Sequence, residues 1–238
     1  MSLFHCQQFT VRQQHAAMKI CTDSLLFGAM APISPGDQVL DIGTGTGLLA
    51  LMAAQLGGAA ICAVEICPDA AQEAEDNFRQ SQWHQRLNVM QQSIQQYALH
   101  CNLHYDVIIS NPPFFAGHLP APTPKRNLAR HADALPYADL FAAAAKLLSD
   151  AGVFYTLLPL QAITEAVDLA QVNGLYLNRQ THFRGFADKP AKVAALSFSR
   201  GNRGCVTDGL TVYQSDGVYT LASKRYLQPF LLRFKEDA

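Results

Sequence analysis

The chain has 238 residues, of which 49% are hydrophobic, and a formal net charge of -1; that is enough apolar material to bury a full core in one domain with a small extension. No apolar run reaches the roughly 20 residues of a membrane-spanning helix. Met1 to Thr10, with His5 and its glutamines, lacks the basic and apolar regions of a signal peptide, so a cytoplasmic protein with no membrane contact is expected. Six cysteines are scattered without a C-x-x-C pair or a histidine at metal spacing, which predicts free thiols in a reducing compartment and neither a metal site nor disulfides.

In chain order, Val39–Ile42 is a short apolar run between Pro35-Gly36 and a glycine loop, as a buried first strand should be. Residues 46–56 predict a helix closed by Gly57-Gly58. Ala60–Val64 is the next strand and ends on Glu65; Pro68 opens a helix that runs to Gln80. Leu87–Met90, Tyr105–Ile109 and Val153–Leu158 supply three more strands, with helices at about 137–148 and 161–172 around the last of them. This alternation predicts an α/β fold: a doubly wound, mostly parallel seven-stranded sheet covered on both faces. Beyond Gly174, Leu175–Phe183 and Val193–Ser199 predict an antiparallel pair at the sheet edge, and Ser215-Asp216-Gly217 predicts a hairpin within 210–221. Residues 224–234 are compatible with a helix or an extended tail. The whole chain is expected to form a single domain, with 1–36 as an N-terminal segment, 37–200 as the core and 201–238 as a C-terminal hairpin and tail.

Open α/β sheets bind ligands beyond the carboxyl ends of their strands, at the switch point. The first strand ends in Asp41-Ile42-Gly43-Thr44-Gly45-Thr46-Gly47. Three glycines without Cβ atoms let the backbone turn sharply and approach a ligand, and an acidic residue closing the second strand, Glu65, can accept from both hydroxyls of a ribose. Nicotinamide and flavin enzymes also use glycine loops, but here the spacing is G-x-G-x-G with an acid two residues upstream, which departs from G-x-G-x-x-G. Asp41 suits a cationic ligand tail better than a pyrophosphate, which points to S-adenosyl-L-methionine. After the third strand, Ser93 stands where an adenine-contacting aspartate is often found in such enzymes; it can donate and accept a hydrogen bond without charge.

The fourth strand ends in Asn111-Pro112-Pro113-Phe114. The Asn111 carboxamide oxygen and the Pro112 carbonyl can each accept an N–H of a planar amine, Pro112-Pro113 fixes φ twice in succession, and Phe114 offers a stacking face worth about 1–3 kcal/mol for a base. Taken alone, the tetrapeptide is equally a turn followed by a core plug. Pro120-Ala121-Pro122-Thr123-Pro124 then predicts an extended loop beside the site, with Arg130-His131 after it.

Over nearly its full length the sequence resembles the small bacterial transfer-RNA adenine-N6 methyltransferases that modify the adenosine next to the anticodon of a valine tRNA. The resemblance is carried by residues 18–29 (Met18 to Ala29), 40–52 (Leu40 to Met52), Ala63-Val64-Glu65 and 106–113 (Asp106 to Pro113). It implies an S-adenosyl-L-methionine-dependent enzyme of the class I methyltransferase fold, with Lys19, Thr22 and Asp23 over the cofactor pocket, Thr22 and Asp23 at its methionine end, and Asn111 shared between cofactor and substrate. From the chain alone, Thr22-Asp23-Ser24 reads equally as the N-cap of a helix over 25–30. Many relatives carry tyrosine at the position of Phe114, whose ring still stacks but makes no hydroxyl contact. Methyltransferases of protein glutamine or of ribosomal RNA use the same tetrapeptide type, usually with an added N-terminal domain, and a cofactor-binding module without catalysis is a further alternative.

Charge is unevenly spread. Residues 1–119 hold four Lys/Arg against nine Asp/Glu, whereas 120–238 hold fourteen against ten. Between 179 and 203, Arg179, Arg184, Lys189, Lys192, Arg200 and Arg203 face only Asp188 in the sequence, a patch suited to a phosphate backbone or to ordinary solvation. A tRNA substrate and a monomeric enzyme are the expected partner and state.

Overall fold

The computed structural model describes residues 2–14, 19–113 and 135–235. Phe114, the proline-rich stretch and the Arg130-His131 pair lie outside the described residues.

The organising element is β3 (Gln38–Ile42), whose last four residues are buried. Its side chains alternate between two cores: Val39 joins one apolar cluster, Leu40 and Ile42 the other. Such two-sided burial is what a central parallel strand requires. Beside it lie β4 (Ala60–Glu65) and β5 (Leu87–Gln91) on one side, β6 (Tyr105–Ser110) and β7 (Leu148–Pro159) on the other, all parallel. The first cluster takes in α1 (Thr22–Ala29), α2 (Leu48–Leu56) and, through Ala74 and Phe78, α3 (Pro68–Arg79). The second takes in α4 (Ile94–His100), α5 (Tyr137–Leu147) and α6 (Ile163–Val172). Helices therefore cover both faces of the sheet, as a doubly wound fold demands.

The described sheet has eight strands in the order β10-β8-β9-β7-β6-β3-β4-β5, one more than the sequence predicts. The antiparallel pair is present as β8 (Tyr176–Arg184) and β9 (Val193–Ser199), with β9 also antiparallel to β7. The additional strand is β10 (Val206–Thr211), parallel to β8. It takes Leu210 and Thr211 into the main sheet, so the expected hairpin shortens to β11 (Tyr213–Ser215) and β12 (Val218–Tyr219) around Asp216-Gly217, where Gly217 has φ +73°. The tail resolves into α7 (Leu221–Leu227), capped by the Thr220 hydroxyl, and a short 3-10 turn at Leu232–Phe234. β7 also starts five residues earlier than predicted, because Leu148 pairs with Tyr105 before the ladder shifts register.

At the chain start, β1 (Leu3–His5) and β2 (Thr10–Arg12) form a small hairpin. Asn77, a buried residue of α3, holds it in place. Its Oδ1 accepts from Arg12 N at 2.9 Å, and its Nδ2 donates to Arg12 O at 3.0 Å and to Thr46 O at 2.9 Å. One amide thus ties the N-terminal hairpin to the glycine loop. Among the described residues no helix is long and apolar enough to cross a membrane, and all six cysteines are free.

Candidate active site at the carboxyl edge of the sheet

The strand order reverses at β3, whose neighbours β4 and β6 lead away in opposite directions, which makes its carboxyl end the topological switch point. Ile42 is aligned with both Val64 and Ser110, so Gly43, Glu65 and Asn111 follow on three adjacent strand ends. The loop is fastened from both sides. Gly43 N donates to Val64 O at 2.8 Å, Gly45 N to the Glu65 carboxylate at 2.8 Å, and the Ser110 hydroxyl to Ile42 O at 2.9 Å.

Gly43, Gly45 and Gly47 all lie at positive φ (+71°, +56°, +86°), where side-chain-bearing residues are strained. Their surroundings differ. A Cβ on Gly43 or Gly45 would meet nothing within 4 Å, whereas on Gly47 it would meet the Phe78 ring at 2.5 Å. Gly43 and Gly45 therefore bound open space in front of the loop, and Gly47 serves close packing of the loop against α3.

Asp41 is fully buried; its Oδ2 accepts from the Thr44 hydroxyl at 2.5 Å, while Oδ1 has no partner among the described residues. Loss of hydration, reinforced by the nearby Glu65 charge, pushes its pKa up to about 7 despite the Thr44 hydrogen bond and the nearby Ala50 backbone N–H. A carboxyl group with a native pKa of about 7 and an unfolded value of about 4 binds more protons in the folded state across that window. Stability is therefore expected to fall as pH rises from about 4 to about 7, by on the order of 2–4 kcal/mol for this group. Urea titrations of wild type and Asp41→Asn isolate the effect: the stability difference between them should change across that window in favour of the variant at neutral pH, and a pH-independent difference would sink the assignment.

Glu65 is nearly buried, and its second oxygen accepts from Cys67 N at 2.9 Å, so the carboxylate is oriented by backbone on both sides. Ser93 follows β5 at the same edge and caps α4, its Oγ accepting from Gln96 N at 3.2 Å; the hydroxyl hydrogen remains available as a donor. The Asn111 Oδ1 is buried and without a partner among the described residues. An orphan acceptor of this kind is costly unless a ligand satisfies it. Pro112 is buried and Pro113 exposed.

α1 begins at Thr22, three residues before the predicted start. Cys21, not Thr22, is the N-cap, and the Ser24 hydroxyl closes a capping box by accepting from Cys21 N at 3.2 Å. Thr22 and Asp23 consequently sit in the first helical turn, where the acidic Asp23 matches the helix dipole. Burial raises the Asp23 pKa, opposed by the Lys192 charge, which places the β8–β9 connection beside α1. Thr22 Oγ1 lies 2.9 Å from the Tyr213 hydroxyl, and Lys19 is exposed just upstream. Thr44, Asn77 and Tyr213 escaped the sequence reading. Thr44 occupies a variable place in the glycine loop, and the other two bond across 31 or more residues, with no local pattern to mark them.

The basic stretch is less free than its sequence suggests. Arg179 pairs with Asp208 at 2.5 Å, Lys189 with Asp188 at 3.1 Å, and Arg200 Nη2 donates to the carbonyls of Ala145 (2.7 Å) and Leu148 (3.1 Å). Asp208 and those carbonyls reach the stretch from elsewhere in the chain, so in the fold Asp188 is joined by partners that the sequence window does not contain.

A family model described as ribosomal protein L11 methyltransferase (PrmA) matches residues 14–113, from the N-terminal segment through Pro113. Among solved structures, a predicted O-methyltransferase from Agrobacterium tumefaciens superposes with a TM-score of 0.67 at 15% identity, covering 85% of this chain and 94% of that one. A methyltransferase from Pyrococcus furiosus gives 0.58 at 18% identity over 81% and 89% of the two chains. At such identities these likenesses show the fold. The curated relatives are nearer: the tRNA1(Val) (adenine(37)-N6)-methyltransferase of Bacteroides fragilis is 38% identical over 231 residues, 97% of this chain and 98% of the relative. That of Histophilus somni is 37% identical over 233 residues, with the same coverage. With a methyltransferase fold, a glycine loop and an Asn-Pro-Pro segment on adjacent strand ends, and near-full-length identity at this level, the chain belongs to the tRNA1(Val) (adenine(37)-N6)-methyltransferase family.

Proposed function

We propose that this protein transfers a methyl group from S-adenosyl-L-methionine to the exocyclic N6 amine of adenosine 37 in a valine tRNA. The observation that carries the reading is the buried Asn111 Oδ1, without a partner among the described residues, at the strand end next to the glycine loop. The amine of adenine has its lone pair spread into the ring, so a site that alkylates it must draw on the N–H bonds while holding the base flat. Asn111 Oδ1 and the Pro112 carbonyl are the two acceptors for those hydrogens, Pro113 stiffens the turn, and Phe114 supplies the stacking face. Both acceptors orient the amine hydrogens while the N–CH3 bond forms and the donor's S–CH3 bond breaks, and the surplus proton of the methylated amine then passes to solvent, so the site works by positioning rather than by acid-base chemistry.

The cradle fits the donor on three counts. Gly43 and Gly45 leave open space where Cβ atoms would stand, Glu65 is set to receive the ribose hydroxyls, and Asp41 carries a carboxyl that a cationic ligand would hold ionised. When bound, the donor supplies an electrophilic methyl group on a sulfonium. Thr22, Asp23 and Lys19 lie over the methionine end in this reading, and Ser93 donates its free hydroxyl hydrogen toward the adenine.

A second reading, methylation of a protein amine or amide, rests on the match to the ribosomal protein L11 methyltransferase model. That match ends at Pro113 and takes in the cofactor half, so it bears on the donor more than on the acceptor. Incubation of valine tRNA transcript and of ribosomal proteins with methyl-labelled donor separates the two. Label recovered as N6-methyladenosine at position 37 is the expected result; label confined to protein would overturn the RNA reading.

A further inference from the structure

The two ends of the chain meet where Cys6 bridges Leu231, and they line an open hollow of about 330 Å³, within the size range of small-ligand pockets. His5 from β1, Thr22 and Leu25 from α1, Tyr219 from β12, and Leu231 and Arg233 from the tail are among its walls. None of the glycine-loop residues, Glu65 or Asn111 lines it, so it is separate from the strand-end part of the methyl-transfer cradle. Yet it adjoins that cradle, because Thr22 forms one wall and is bonded to Tyr213.

Tyr213 and Tyr219 belong to a row of half-buried aromatic rings, Phe186, Tyr213, Tyr219 and Phe234, with successive centroids 5.6, 4.9 and 5.5 Å apart. β8 and β10 run parallel to β7, so Phe186 and Tyr213, just past their ends, share the edge that carries Asn111. The exposed Arg233 guanidinium stands 5.2 Å from the Tyr219 ring and 6.0 Å from Phe234. Beyond Phe234 a second groove is lined by Lys224, Arg225 and Lys235, with no acidic side chain among the described residues that line it. Flat aromatic and guanidinium faces over an apolar floor suit a planar ring, and the adjoining Lys224, Arg225 and Lys235 suit phosphates; together they describe a binding place for an unpaired nucleotide.

We infer that this cavity takes a second nucleobase of the same RNA, a neighbour of the methylated adenosine in the loop, against Tyr219 and Arg233, with the backbone passing over Lys224, Arg225 and Lys235. The inference rests on the RNA reading above. Methylation then requires the loop to be opened at two points, and a stacked, fully paired adenosine would be refused.

The test is a binding cycle with synthetic anticodon stem-loops of valine tRNA, intact or with one abasic nucleotide on either side of the target adenosine. In the wild-type protein one abasic substitution is expected to weaken binding about tenfold, the size of a lost base-aromatic stack. In Tyr219→Ala and Arg233→Ala the intact loop should bind about tenfold more weakly, and the same abasic change should cost less than about twofold. Cofactor affinity should stay level in both variants. Arg233 is exposed, so its variant carries the cycle even if loss of Tyr219 disturbs folding. An abasic penalty that persists in both variants, or that is missing from the wild type, would overturn the inference while leaving adenosine methylation of the intact loop in place. Failure of the wild type to methylate the intact loop would strike the RNA reading itself.

Discussion

Asn111→Ala is expected to lower turnover by about a hundredfold to a thousandfold while changing cofactor affinity by less than about threefold. The magnitude is that of removing one preorganised polar group that meets charge developing in a transition state. As the target nitrogen attacks, its hydrogens become more acidic, and the acceptor facing them binds the transition state better than the ground state. The Asn111 oxygen suits this work because it is buried and no other described group competes for it. Fold damage should be small, since the side chain bonds nothing in the described structure and follows the last ladder pair of β6 rather than belonging to it. Single-turnover rates with saturating tRNA, set beside calorimetric titration of the cofactor, separate the two effects. Wild-type turnover in the variant would remove the carboxamide from the mechanism, and a matching collapse of cofactor affinity would make Asn111 a binding group alone.

Alanine at Gly47 and alanine at Gly43 are expected to fail in different ways. At Gly47 the residue must hold φ +86°, which costs about 1–2 kcal/mol for a residue with a Cβ, and the new methyl meets the Phe78 ring at 2.5 Å. Phe78 is buried in α3 and cannot step aside without disturbing the apolar cluster around it, an overpacking cost of about 1–3 kcal/mol. The sum, about 2–5 kcal/mol, corresponds to a fall of roughly 4–20 °C in melting temperature for a chain of this size. Gly43→Ala pays only the backbone strain, because its Cβ meets nothing, and should melt within a few degrees of wild type. Its methyl group instead occupies the space left for the donor, so cofactor affinity should fall about tenfold or more. Thermal melts with and without cofactor distinguish the cases: at a fixed cofactor concentration the stabilisation conferred by ligand should shrink by about 1.4 kcal/mol or more in Gly43→Ala. Equal melting temperatures for the two variants would refute the division between packing glycine and cradle glycine.

The sheet core and the Asn-Pro-Pro segment after β6 were legible because each is written locally. Runs such as Val107-Ile108-Ile109 have no alternation to confuse a buried parallel strand with an exposed one, and Pro68, Gly57 and Gly217 mark boundaries through their own backbone limits. The start of β7 was hidden, since Ser149-Asp150-Ala151-Gly152 has turn composition and falls in the register shift between the Leu148–Tyr105 and Val153–Val107 pairs, which only the folded sheet reveals. β10 was hidden for a similar reason. Val206–Thr211 carries a glycine and an aspartate and owes its place to pairing with β8 and to Asp208 meeting Arg179. In the site, the glycines, Glu65 and Asn111 announce themselves by motif. The partners that set their electrostatics, Thr44 on Asp41 and Lys192 near Asp23, depend on the folded geometry.

The amide of Asn77 fixes what its own position can tolerate. It presents one acceptor to an N–H and two donors to carbonyls, all on backbone. Aspartate would turn a lone pair toward Thr46 O and Arg12 O, leucine would leave three backbone groups unpaired at about 1–3 kcal/mol each, and glutamine would carry the same groups one methylene too far. Because the three contacts reach the chain at residues 12 and 46, an exchange at 77 cannot be repaired by side-chain changes at those places. Both answer with main chain, which mutation does not rewrite.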